Sequence, residues 1–277
     1  MGENNEEEQE YEPWHPKIPD DDTLVWRYID FTQLISILER ESLWFNRADL
    51  FDDPLEGSIS RANVATRELR YEETDIPLPA LETLSQAIRG HRKTTYLNCW
   101  HLNSYESAAM WEQYSTNGQG IAIQTTVGDL IDALTDEPGV FISGGDIPDD
   151  ANKINRLIKF GRVRYIDYDR QLIPENNLYA PVFHKRLSFS HENEFRAAFS
   201  IFGEKVEEQD GVGSIADSSL DVPPGMYIDI DIGKLIDTLY ISPTSPEWFL
   251  EQVELIKERY EIKCAIQKSS LDEDPVF

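Results

Sequence analysis

Cysteine is nearly absent: Cys99 and Cys264 are the two in 277 residues, each inside an apolar, strand-like run. Two isolated thiols exclude a disulfide framework and a cysteine metal cluster, and they suit a reducing cytoplasm. The five histidines (His15, His91, His101, His184 and His191) are scattered without metal-ligand spacing, so no metal site is expected of them. No apolar run reaches membrane-spanning length, and the Glu-rich N-terminus lacks the cationic and then apolar segment of a secretion signal. P-loop, Rossmann-glycine and Gly-x-Ser-x-Gly patterns are missing too, which disfavours hydrolases and dehydrogenases of those designs. The expectation is a cytoplasmic protein with no membrane association.

Positive charge is also scarce. Lysine and arginine total 25 against 52 Asp and Glu, a formal net charge of -27. A body that acidic repels phosphate backbones and disfavours general nucleic-acid binding, although Arg162, Arg164, Lys185 and Arg186 allow a local basic groove. The balance suits a protein kept soluble in molar salt, as in halophilic archaea. The acid is spread along the chain, but residues 1–22 (MGENNEEEQEYEPWHPKIPDDD) are charged, proline-punctuated and nearly free of aliphatics. Such a segment cannot offset its ordering entropy, so 1–22 is read as a disordered acidic tail and 23–277 as a single domain.

Within that domain, strand and helix signals alternate. Leu24 to Ile29 reads as a buried strand interrupted by Arg27, after which Asp30 or Thr32 caps a helix carrying Leu34, Ile35, Ile37 and Leu38. Ser42 to Phe45 is a short strand. Asp49 to Gly57 is an acidic turn enforced by Pro54 and Gly57, read as solvated. Residues 60–92 look helical, broken near 75–79. Thr95 to His101 is a strand, Asn103 or Ser104 caps a helix through Met110, Trp111 and Tyr114, and residues 119–125 return as a strand. Val127 to Leu134 is a helix, 137–150 a loop, 158–166 a strand and 175–186 a helix despite Pro181. Residues 203–225 form a long polar insertion, a candidate lid. Strands at 226–232 and 238–242, a helix opened by Pro246 and a last strand at 261–267 complete an α+β domain: a mixed, mainly antiparallel sheet flanked by helices.

The stretch Leu187 to Phe202 (LSFSHENEFRAAFSIF) organises the reading. A polar turn feeds a strand whose apolar face is Phe195, Ala197, Phe199 and Ile201, while Glu192, Glu194 and Arg196 share the other face. Carboxylates that close together shift at least one pKa unless a cation or solvent compensates. The bland reading is a salt-bridged wet face. Arg27 likewise needs either a structural carboxylate, such as Glu192 or Glu194, or an anionic ligand.

Four pieces stand in order: LVWRYIDFTQLISILERESLWF, FDDPLEG, CWHLNSYESAAMWEQYSTNGQGIAI and FSHENEFRAAF. Together they resemble domain-of-unknown-function family twenty-nine seventy-one, from about Leu24 to Leu271. Asp52 departs from the asparagine usual in that turn, and His101 stands where a serine is expected. The pieces are also similar to the ADP-ribosyltransferase layout, which implies that fold and NAD as substrate. By that resemblance Glu194 is the catalytic carboxylate, and Glu192 orients the attacking group. Arg27 holds the NAD pyrophosphate or ribose, and Tyr28, Ser104, His101 and Tyr114 complete the cofactor site. Phe51, Asp53 and Glu56 belong to a site-forming or structural turn. Trp26, Trp44 and Trp100 join Tyr28 and Tyr114 as aromatics able to stack on the bases. The implied activity is an NAD-dependent ADP-ribosyltransferase or glycohydrolase, acting as a toxin or antiviral defence effector; neither acceptor nor oligomeric state follows.

Two other classes stay open: a non-catalytic nucleotide-binding or protein-interaction module on the same fold, and a carboxylate-metal nuclease built from Asp52, Asp53, Glu56 and Glu194. The salt reading has a direct test. Refolding should require KCl approaching molar concentration, and refolding that needs no added salt removes it.

Overall fold

The computed structural model describes residues 14–71, 78–115, 118–135, 140–141, 158–201, 222–273 and 275. In chain order the strands and helices begin with β1 (Leu24–Asp30), α1 (Phe31–Arg40), β2 (Ser42–Arg47), α2 (Arg61–Tyr71) and α3 (Leu78–Thr94). They continue with β3 (Thr95–Leu102), α4 (Ala108–Tyr114), β4 (Gly120–Thr126), α5 (Val127–Thr135), β5 (Val140–Phe141), β6 (Lys159–Arg162) and β7 (Arg164–Ile166). The last are β8 (His184–Arg186), β9 (Glu194–Ser200), β10 (Gly225–Asp229), α6 (Ile232–Leu235), β11 (Thr238–Ile241), α7 (Glu247–Arg259) and β12 (Ala265–Lys268).

Among the described residues ten strands join one sheet, antiparallel throughout except where β11 runs parallel to β12. The α+β class and the mainly antiparallel sheet match the reading from sequence. Local chemistry accounts for the elements. Asp30 caps α1 in a capping box: its Oδ1 accepts from the Gln33 amide at 2.7 Å, and its own amide donates to Gln33 Oε1 at 3.0 Å. Leu34, Ile37 and Leu38, at helical spacing, then face the core. They meet Val25, Phe45, Trp100, Phe195 and Phe199 from the sheet and Phe249 and Val253 from α7. Burying each such aromatic or branched side chain contributes about 1.5–3 kcal/mol.

The sheet branches at β3. One edge of β3 pairs with β9 along its length, from Thr95↔Ser200 to His101↔Glu194. The other edge is shared by two strands: β2 pairs at Tyr96 and Leu97, and β1 at His101 and Leu102. Between those contacts β1 and β2 part, and side chains stand in for the missing backbone partner. Arg27 Nη1 donates to the Cys99 carbonyl at 2.9 Å, and Asn98 Nδ2 donates to the Trp44 carbonyl at 2.9 Å. The fork is the floor of a cavity.

Several expectations are corrected. Residues 175–186 do not form a helix: Pro181 sits in a short 3-10 turn over Ala180–Phe183, followed directly by β8. The single strand expected at 158–166 is two, β6 and β7, with different partners. Ser107, not Asn103 or Ser104, caps α4, accepting from the Met110 amide. Residues 14–22, grouped with the disordered tail, dock on the body. Trp14 packs its ring 5.1 Å from His184, and Lys17 accepts the Arg162 amide through its carbonyl, which extends the edge at β6. Residues 1–13 and most of the polar insertion, 202–221, lie outside the described residues.

Gly225 opens β10 where the chain crosses the Trp44 ring. A Cβ there would fall 2.0 Å from Trp44 Cζ2, so the strand tolerates no side chain at that point. Gly225→Ala should destabilise the protein by about 1–3 kcal/mol and displace Trp44 from the cavity wall. Urea denaturation with tryptophan fluorescence measures both; an unchanged midpoint would refute the close approach.

Candidate functional site

The cavity in the fork encloses about 300 Å³. β1 supplies Trp26, Arg27 and Tyr28; β2 supplies Trp44 and Asn46; β3 supplies Cys99, Trp100 and His101. The rest of the lining comes from Met110, Gln113 and Tyr114 of α4, from Phe51, Asp53 and Glu56 of the acidic turn, and from Lys185, Phe189, Glu192 and Glu194. Nine of the ten residues singled out from sequence therefore line one cavity; the exception, Ser104, is exposed outside it. The five aromatics singled out for stacking line it as well.

The carboxylate wall departs from expectation in its depth. Glu194 and Arg196 are not on a wet face: Arg196 is 0 % exposed and Glu194 5 %. Arg196 grips Glu194 bidentately, through Nε at 2.6 Å and Nη2 at 3.0 Å, and donates from Nη1 to Glu56 Oε1 at 2.7 Å and to the Val182 carbonyl at 2.6 Å. Lys185 reaches Glu194 Oε1 at 2.9 Å, Glu56 Oε2 at 3.5 Å and Glu192 Oε2. Glu192 does not share the strand face with Glu194. It ends a 3-10 turn over Leu187–Glu192, and Asn193 then turns through the left-handed region at φ 38°. The acidic turn is not solvated either, because Asp53 is held bidentately by Arg186 and Glu56 by Arg196. Of the four residues of the expected local basic groove, Lys185 and Arg186 are engaged by carboxylates and Arg162 donates to Asn193 Oδ1.

Charge counting assigns the roles. Glu56, Glu192 and Glu194 face two cations, Lys185 and Arg196, so one negative charge is in surplus. Burial pushes the Glu194 carboxyl up, but Arg196 and Lys185 together outweigh it and hold it well below the ordinary range. The surplus falls on Glu192. Burial, and then the neighbouring Glu194, push its carboxyl up to about 7 against the pull of Lys185. A carboxyl poised there exchanges protons near neutrality, as an acid–base group must.

The cavity is also lined by a cation that, among the described residues, the carboxylates do not pair. Arg27 bonds the Cys99 carbonyl and lies 5.8 Å over the Trp100 ring, and its Nε has no partner. Among the described residues it forms no ion pair with Glu192, Glu194 or any other carboxylate, so the structural-pair reading falls away. Burial lowers its pKa from the ordinary value, as expected of a half-buried guanidinium with no counter-ion among the described residues. His101 adds a second unmet group. Its Nδ1 lies 2.6 Å from the Glu192 carbonyl and must donate to it, which leaves Nε2 as a buried acceptor without a partner. Burial lowers the His101 pKa and keeps the ring neutral. The Cys99 thiol is pushed up by burial and is no nucleophile.

A metal centre finds little to build on. Among the described residues no group of three or more His, Cys, Asp or Glu is placed to hold an ion, and Asp53, Glu56 and Glu194 are neutralised by Arg and Lys. Sequence reading missed Lys185 as the partner of three carboxylates and Asn98 as the tie across the fork. The only trace of Asn98 was a lone amide in the apolar run TYLNCWHL.

Two outcomes follow from this wall. Arg196→Met leaves Glu56 and Glu194 buried beside a single cation and should cost about 3–5 kcal/mol in urea denaturation; a loss below 1 kcal/mol would contradict a buried network. The pH effect of Glu192 has a definite sign. Its folded value of about 7 exceeds the ordinary 4.5, so the folded state binds the extra proton and stability falls as pH rises from 4.5 to 7. Glu194, held low, acts in the opposite sense and below that window. Glu192→Gln should therefore gain stability relative to wild type between those pH values, and a pH-independent difference refutes the assignment.

Residues 110–197 match the family model described as Protein of unknown function (DUF2971), a stretch that includes Tyr114, Lys185, Glu192 and Glu194 but not Arg27. No curated protein matches the chain. Among the described residues no helix is long and apolar enough to cross a membrane. The stretch that carries Tyr114, Lys185, Glu192 and Glu194 is thus similar to a family of unknown function, while Phe51, Asp53 and Glu56 lie outside the match.

Proposed function

We propose that the cavity binds a nucleotide and cleaves an N-glycosidic bond, with NAD as the substrate. One observation carries the reading: an arginine without a counter-ion and a carboxyl poised near neutrality line the same aromatic-walled cavity. Arg27 lines the cavity with one nitrogen spent on the Cys99 carbonyl and its charge unpaired among the described residues, and a guanidinium is a natural partner for a phosphate. Trp44 and Tyr114 offer flat surfaces to a base.

In the reaction the bond from the ribose C1′ to the nicotinamide nitrogen breaks and its electron pair leaves with nicotinamide. Positive charge develops on the ribose. The surplus negative charge of the carboxylate wall stabilises that charge more than it stabilises the ground state. An incoming water or acceptor hydroxyl attacks C1′ and gives its proton to Glu192. Roles are reapportioned relative to the sequence reading: Glu192 is the reacting carboxylate, and Glu194, clamped by Arg196 and Lys185, is the fixed member that keeps the Glu192 proton exchangeable.

The same clamping of Glu194 favours a second reading, ligand binding without turnover, because both its oxygens are already engaged. Nicotinamide release from NAD separates the two. Purified protein should release nicotinamide, Glu192→Gln should reduce the rate by about 10²–10⁴-fold, and Arg27→Met should weaken nucleotide binding by about 10- to 100-fold. Binding with no release, in the presence of cell extract as acceptor, establishes the second reading. No nucleotide binding at all removes both.

A further inference from the structure

We propose that the cavity is bipolar and takes ligands of zwitterionic class, with an anionic group at Arg27 and a cationic group at Glu192. The inference rests on the reading of Arg27 and Glu192 as ligand-binding groups and adds the charge that the reacting end of the ligand must carry. The two poles are separate: among the described residues Arg27 makes no ion pair with the carboxylate wall, and the Tyr114 hydroxyl feels both Arg27 and the Glu192–Glu194 pair. A purely anionic ligand would satisfy Arg27 while bringing negative charge toward a wall that already holds a surplus of it. A purely cationic one would leave Arg27 half-buried without a counter-ion. Only a ligand with both signs relieves both costs.

The cationic pole is set by the carboxylate with the fewest partners. Glu192 is the least committed of the three carboxylates, with Lys185 its only ion-pair partner among the described residues. The Phe189 ring is already covered by Lys185 Nζ at 4.7 Å and Arg186 Cζ at 5.3 Å, so Tyr114 is the lining ring left to meet a ligand cation near Glu192. The groups facing Glu192 come from several elements: Lys185 on β8, Glu194 on β9, Tyr114 on α4 and Tyr165 on β7, with Glu56 and Arg196 behind them. Burial pushes the Tyr114 and Tyr165 hydroxyls up, so both stay neutral near pH 7. The Lys185 ammonium is held charged by Glu194 and Glu56 in spite of its burial. Glu192 is then the group of the wall that changes protonation near pH 7, and a cation docking beside it displaces its proton to solvent.

Titration calorimetry at pH 7, in two buffers of different ionisation enthalpy, tests this with nicotinamide mononucleotide and its reduced form. Both carry the same phosphate, but the oxidised ring is a cation and the reduced ring is neutral. The oxidised form should bind about tenfold more tightly, and its binding should release a fraction of a proton, since the Glu192 carboxyl is pushed up to about 7. Glu192→Gln should abolish both the discrimination and the proton release; because the wild-type comparison alone decides, a poorly folded variant does not rescue the idea. Equal affinities without proton exchange, or no binding of either form, overturn it. Equal affinities accompanied by nicotinamide release from NAD overturn the bipolar site and leave the cleavage reading standing. Discrimination and proton release without turnover do the reverse.

Discussion

The Arg196 guanidinium is sealed from water, and the carboxylate wall depends on it. A buried charge is tolerated only when its partners and hydrogen bonds are complete. Glu194 from its own strand, Glu56 from the acidic turn and the Val182 carbonyl complete them. Those demands pin three distant segments together: β9, the turn before α2, and the 3-10 turn that leads into β8. Lys185 is drawn in as the second cation because Glu56 and Glu194 leave negative charge unmet. Glu192, last to be served, is left with a proton it can exchange.

The branch in the sheet is the second constraint, and it works with the first. β9 holds the full length of one edge of β3, so the other edge is free to be divided between β1 and β2. A sheet that parts must satisfy the backbone groups it uncovers. Arg27 and Asn98 do so from opposite sides of the fork, each with one donor on a carbonyl. In using one nitrogen for that purpose, Arg27 becomes immobile and keeps other donors unused. Asn98 also accepts from Trp100 Nε1 at 2.6 Å, which fixes one of the aromatic walls. The cavity is therefore a consequence of strand topology, and its walls are set by groups that also repair the sheet.

Much of this was legible in the sequence where the signal is local. The alternation Phe195, Ala197, Phe199 predicts the core face of β9, and the apolar spacing after Asp30 predicts α1 with its cap. The resemblance-based residues converge on one cavity because the motifs stand at strand and turn positions that the fork brings together. What failed was burial. Glu194 and Arg196 read as a wet face because nothing near them in sequence announces that Glu56, 140 residues away from Arg196, will neutralise the pair. The acidic turn read as solvated for the same reason, since Arg186 is 133 residues from Asp53. Glu192 was placed on the strand because a period of two cannot foresee that Asn193 adopts a left-handed conformation and breaks the alternation. Pro181 was allowed inside a helix although proline removes a donor there, and the chain instead uses it in a tight 3-10 turn before β8.

Burial also decides which carboxylate can do chemistry. A group clamped by two cations is a poor proton acceptor, because taking a proton would strand both partners in a low dielectric. Glu194 is in that position, whatever the motif assigns to it. Glu192 sits immediately before the kink at Asn193, near enough to feel the Glu194 charge and without an ion pair to Arg196 among the described residues. The left-handed turn thus does what a straight strand could not: it separates two carboxylates of one motif into a fixed charge and an exchangeable one. Paired carboxylates separated in this way by environment differ in proton affinity, the property that divides acid–base roles where such pairs react.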